Sequence, residues 1–146
     1  MVSDDTDHTV FVAQALLSAP RSPDDFARSL AWRLRFWLLC LPAGIGFATL
    51  RSILRLWIGF PPHRSGVRSA GNGPSTRSAI IGAAIPEDED RRRTYVTAAT
   101  RFTHTDPTAL ELDVAVHDDV AALEGDGPRA RSGYSPLTRE MLHGRV

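Results

Sequence analysis

"RSPDDFARSLAWRLRFWLLC", residues 21–40, carries the clearest helix-start signal in the chain and decides the fold class. Ser22 supplies an N-cap hydroxyl, Pro23 suits the first helical position, and Asp24 and Asp25 place negative charge in the positive first turn. Phe26, Leu30, Leu34, Trp37, Leu38 and Leu41 then recur at helical spacing. Trp32, Phe36 and Leu39 widen the apolar surface beyond one face, which implies packing on more than one neighbour. A central helix of this kind calls for helices around it.

The flanking segments supply them. "HTVFVAQALLS", residues 8–18, spaces Val10, Ala13, Leu16 and Leu17 as a short helix, with Asp7 or Thr6 as its cap. "PAGIG" breaks the chain, and the pattern predicts a helix from about Phe47 to Ile58 that buries Phe47, Leu50, Ile53, Leu54 and Trp57. Gly59, Pro61 and Pro62 stop it. A Gly- and Ser-rich loop leads to a helix begun by Pro74, and another helix is expected from about Arg91 to Phe102. "THTDP" opens a last one, with Leu112, Val116, Val120 and Leu123 on one stripe. No segment alternates as a strand does, so the fold class is all-α. After Gly125 the periodicity is lost, so residues 1–124 read as one domain and 125–146 as a flexible tail.

The 17 basic and 17 acidic residues cancel, but residues 21–77 carry nine basic against two acidic. This is no general nucleic-acid footprint, and no nucleic acid is expected as a partner. Residues 36–50 form the longest uncharged stretch, too short and too rich in Pro and Gly for the roughly 20 residues of a membrane span. Arginines at 33, 35, 51 and 55 flank it, leaving a membrane-surface role as a further reading, although the spacing equally suits a bundle. No secretory pattern is recognisable, so no membrane and a cytoplasmic location are expected. Cys40, the single cysteine, reads as a small buried thiol.

Four stretches could carry chemistry. "SDDTDHT", residues 3–9, packs three carboxylates before a helix; it can be a cap, or Ser3, Asp4 and Asp5 can offer the hard oxygens that Mg²⁺ or Ca²⁺ takes. "SAGNGPSTR", residues 69–77, is either an ordinary turn or a backbone cradle for an anion ahead of a helix N-terminus. His104 in "THTDP" reads first as a hydrogen-bonding partner, and His117 with Asp113 as a solvated helical pair.

Taken in order, "SDDTDHT…VAQALL", "PAGIGFATLR", "SAGNGPSTRSAIIGA" and "RFTHTDPTA" resemble the ADP-ribosylglycohydrolase family over about residues 2–124. The resemblance implies an all-α bundle that holds two Mg²⁺ ions and hydrolyses the glycosidic bond between ADP-ribose and an acceptor. It implies that Ser3, Asp4 and Asp5 are metal ligands, with Asp4 and Asp5 central to catalysis. It implies that Ser69, Gly71, Asn72 and Gly73 wrap the ADP-ribose diphosphate and adjacent ribose, and that His104 lines the same cleft.

The chain also departs from the family pattern. Pro74, Ser75 and Thr76 precede Arg77 where the family has small residues and Met-Arg. The family's segment before the acidic motif and its late Asp-x-Asp-Thr/Ser motif have no match. Asp88-Glu89-Asp90, the only Asp-x-Asp after the opening acidic cluster, reads as a solvated turn. The expectation is a family fold incomplete at both ends, without the second metal half-site and impaired in hydrolysis. The alternative is a module that binds ADP-ribose without cleaving it. Unpartnered apolar helices are expected to favour association.

Overall fold

The computed structural model describes residues 4–42, 44–69 and 74–124. These form seven α-helices: α1 Asp4–Ser18, α2 Pro23–Leu39, α3 Phe47–Trp57, α4 Pro62–Ser65, α5 Ser75–Ala84, α6 Glu89–Arg101 and α7 Pro107–Glu124. An isolated parallel bridge joins Val67 to His104. The all-α expectation holds for the described residues. None of their helices is long and apolar enough to cross a membrane. The segment 125–146, expected to be a flexible tail, lies outside them.

Helix α2 begins as its sequence dictates. The Ser22 hydroxyl accepts the Asp25 amide at 3.2 Å, and Pro23 follows the cap. Phe26, Leu30, Leu34 and Trp37 are buried against α1, α3 and α6, where they meet Val12, Ala15, Ile53, Leu56, Val96 and Ala99. The rings of Phe26 and Tyr95 lie 5.2 Å apart in a tilted arrangement. The other side of α2 stays open: Trp32, Phe36 and Leu39 are exposed, and the first two stack at 5.9 Å. Arg35 lies over the Trp32 ring and donates to the Leu56 carbonyl at 2.6 Å, tying this apolar face to the end of α3.

Several local readings change in three dimensions. Helix α1 starts at Asp4, so Thr6 and Asp7 lie inside it rather than capping it. The Asp7 carboxylate instead accepts the Trp37 indole N–H at 2.9 Å and pins α1 to α2. On α3 the buried residues are Thr49, Ser52, Ile53 and Leu56, while Phe47, Leu54 and Trp57 are exposed. The helix is turned to bring small hydroxyl residues against the 103–105 turn, where Ser52 Oγ donates to the Thr103 carbonyl at 3.0 Å. Cys40 is exposed, because α2 ends there and the chain leaves the core.

Helix α7 departs furthest from its pattern. Its buried line is Ala109, Asp113, His117 and Ala121, not the aliphatic stripe of Leu112, Val116, Val120 and Leu123. Helix α5 packs so closely here that a Cβ on Gly82 would stand 2.5 Å from the His117 carbonyl oxygen. His117 and Asp113 are therefore not a solvated pair. Arg92 donates to His117 Nδ1 at 3.0 Å and to Asp118 at 2.8 Å, and it caps the end of α5 through the Ile85 and Pro86 carbonyls. Asp113 accepts from the Ser75 hydroxyl at 3.1 Å and from the Thr100 hydroxyl. A buried polar line is stable only when its groups have such partners. Asp88, as anticipated, sits in an exposed turn, where its carboxylate caps α6 by accepting the Arg91 amide at 2.9 Å.

Candidate functional site

A cleft of about 540 Å³ opens beside the start of α1, within the size range of small-molecule sites. One wall is the first two turns of α1, with Asp4, Asp5 and His8. A second is the entry to α3, including Phe47 and Arg51. The third is formed by Val67, Arg68, Ser69 and His104. Of the expected site residues, Asp4, Asp5, Ser69 and His104 thus share one cleft. Ser3, Gly71, Asn72 and Gly73 lie outside the described residues.

The third wall is held by backbone. The Val67 amide donates to the Thr103 carbonyl and the Thr105 amide to the Val67 carbonyl, each at 3.0 Å. Gly66 permits this approach, since a Cβ there would collide with the Arg101 carbonyl. Arg55 donates to the Gly66 carbonyl, and the Ser65 hydroxyl donates to the Phe102 carbonyl at 2.8 Å. The loop facing α1 is therefore anchored to α3 and to the end of α6.

The acidic pair sits on the opposite side. Asp5 Oδ1 accepts the Thr76 hydroxyl at 3.3 Å, so the first turns of α1 and α5 meet at the cleft. Behind them lies Arg77, 1% exposed, whose guanidinium donates to Thr103 Oγ1. Burial lowers the Arg77 pKa to about 10, opposed by the negative charges of Asp113 and Asp5. His104 Nδ1 lies 2.9 Å from Thr103 Oγ1.

The two cleft histidines are neutral imidazoles near pH 7. Burial, then the Arg77 cation, lowers His8 to about 3 and His104 to about 4. Each offers one hydrogen-bond donor and one acceptor rather than a charge. Burial raises the Asp113 carboxyl, against the hydrogen bonds from Thr100 and Ser75 and the charge of Arg77.

Sequence reasoning did not single out His8, Arg51 or Arg68 for the site. For His8 a signal existed: it stands three and four residues after Asp5 and Asp4, on the same side of a helix. Arg51 and Arg68 reach the cleft through tertiary contacts alone and add cations to its lining, Arg51 over the Phe47 ring and Arg68 3.6 Å from the Asp106 carboxylate.

The donor set bears on a metal. Among the described residues no group of three or more His, Cys, Asp or Glu is placed to hold an ion. Two adjacent carboxylates match an Mg²⁺ that keeps several waters and takes further oxygens from a ligand. They fall short of the bridging carboxylates that two ions about 3.5 to 4 Å apart require.

A search of curated proteins finds no match. The model of the ADP-ribosylglycohydrolase family matches residues 1–136. With an all-α fold and that match over most of its length, the chain belongs to the ADP-ribosylglycohydrolase family, a family of hydrolases.

Proposed function

We propose that the cleft binds ADP-ribose and that its chemistry is hydrolysis of the glycosidic bond between ADP-ribose and an acceptor, impaired in this chain. The observation that carries the reading is that Asp4 and Asp5 line one cleft with Ser69 and His104. Ser3, Gly71, Asn72 and Gly73 join the site by family resemblance alone.

The chain's own groups divide the task by charge. Arg51 and Arg68 attract the diphosphate. His104 and His8, uncharged, offer hydrogen bonds to ribose hydroxyls without repelling a sugar that gains positive charge at its anomeric carbon. Asp4 and Asp5 place negative charge beside that carbon and can take a proton from an attacking water. Water oxygen bonds to the anomeric carbon, the bond to the acceptor breaks, and the acceptor leaves with a proton. Asp4 and Asp5, with Ser3 by resemblance, would hold Mg²⁺, which supplies Lewis-acid positioning of oxygen groups when bound. The short donor set is why hydrolysis is expected to be slow.

That shortage also favours a second reading, a module that binds ADP-ribose without cleaving it. Calorimetric titration with ADP-ribose, with and without Mg²⁺, tests both. Binding with slow Mg²⁺-dependent release of ADP-ribose from a modified protein supports the first. Binding indifferent to a chelator, with no turnover, supports the second. The absence of heat at millimolar ligand removes both. A cytoplasmic location and the absence of a nucleic-acid partner belong to the same proposal, the second of them supported by the balanced charge of the chain.

A further inference from the structure

The geometry points to Arg77 as the positioning residue of the cleft: its buried guanidinium couples Asp5 on α1 to the Thr103–His104 turn on the far wall. The inference rests on the reading of the cleft as an ADP-ribose site, and it adds a residue that touches no ligand.

Three observations converge on it. Arg77 is the largest fully buried side chain among the described residues. A buried cation is costly, and an apolar side chain of that volume would pack there with less penalty. Yet the guanidinium is only partly satisfied: it donates to Thr103 Oγ1, while among the described residues Nε and Nη1 have no hydrogen-bond partner. A side chain kept for stability alone would saturate its donors.

Its surroundings show what the charge does. Asp5 is close enough for its charge to stabilise the guanidinium, and Thr76, the preceding residue, donates to the Asp5 carboxylate. On the other side, Thr103 Oγ1 links Arg77 to His104 Nδ1, and the Thr103 carbonyl is held by Ser52 and Val67. This turn of α5 therefore reaches both sides of the cleft, through Thr76 to the carboxylate of Asp5 and through Arg77 to the Thr103–His104 turn. The negative charge of Asp113, and then that of Asp5, favours the charged guanidinium against the cost of its burial.

The test compares wild type with Arg77→Met, Arg77→Lys and Thr103→Val by calorimetry with ADP-ribose and by thermal unfolding. Arg77→Met should weaken binding by about tenfold or more, while melting stays unchanged or rises as a half-satisfied buried cation is removed. Arg77→Lys keeps the charge and should recover binding to within about threefold of wild type. Equal affinity in wild type and Arg77→Met overturns the assignment. So does equal loss in the Met and Lys variants, since packing rather than charge would then be responsible. If Arg77→Met does not fold, Thr103→Val decides: binding weakened with melting unchanged supports the coupling, and unchanged binding overturns it. Without any ligand, the His104 ring resonances should move in Arg77→Lys and Thr103→Val, and resonances that stay put overturn the coupling. Failure of wild type to bind ADP-ribose removes the reading of the cleft, and the histidine resonances then decide the coupling by themselves.

Discussion

The hydroxyl of Thr76 donates to the carboxylate of Asp5 at 3.3 Å, across 71 positions of sequence. The bond is exposed, so it contributes little to stability, but it sets where one of the two cleft carboxylates points. Asp5→Asn keeps the shape and removes the charge. It should leave thermal unfolding within about 0.5 kcal/mol of wild type. Any Mg²⁺-dependent component of ADP-ribose binding should disappear, and a titration that retains this component would exclude Asp5 from the site.

Stability should fall as the medium is acidified from pH 7 to 5. His8, His104 and His117 are buried, and burial lowers their pKa values from 6.5 to about 3, 4 and 4. Between pH 6.5 and about 4 the unfolded chain binds protons that the folded one refuses, so the stabilisation is complete above 6.5 and is lost below it. Each such histidine contributes a slope of up to about 1.4 kcal/mol per pH unit. Asp113, raised by burial, binds its proton more readily when folded and offsets part of the loss at the acidic end. Thermal unfolding across this range gives the slope, and His8→Gln should flatten it. A melting temperature constant from pH 7 to 5 would contradict the neutral, buried histidines.

Gly82 is where α5 and α7 touch. Its missing side chain lets the His117 backbone approach, and backbone cannot swing aside as a side-chain tip can. Gly82→Ala should destabilise by about 1 to 3 kcal/mol despite the higher helix propensity of alanine. Urea unfolding measures it, and a variant more stable than wild type would refute the close packing.

Leu41 follows α2 with φ +50° and is 86% exposed. The left-handed region costs a non-glycine residue about 1 kcal/mol, and this leucine recovers little of that by burial. Leu41→Gly should stabilise the fold by up to about 1 kcal/mol, read as a rise in the denaturation midpoint. A drop in the midpoint would show that the leucine packs on something.

The stacked pair Trp32 and Phe36 lies exposed with Leu39 on one side of α2. Large apolar patches on a surface favour association. A Trp32→Ser, Phe36→Ser double variant should reduce concentration-dependent association in analytical ultracentrifugation with little change in melting. Association that persists unaltered would locate it elsewhere.

Local chemistry determined the helices of this protein. Ser22, Pro23 and Asp88 cap or open α2 and α6 through atoms three or four residues away, and the buried face of α2 follows from its own periodicity. The four motifs pointed to the family, and three of them, through Asp4, Asp5, Ser69 and His104, named residues of the cleft. Tertiary structure alone decided which face α3 and α7 bury, because Ser52, Asp113 and His117 are affordable in the interior only where Thr103, Ser75, Thr100 and Arg92 meet them. It also decided that Arg51 and Arg68 share a cleft with the acidic pair. Hydrogen-bond satisfaction and charge pairing depend on groups brought together over tens of residues, and the spacing of side chains along one helix does not encode them.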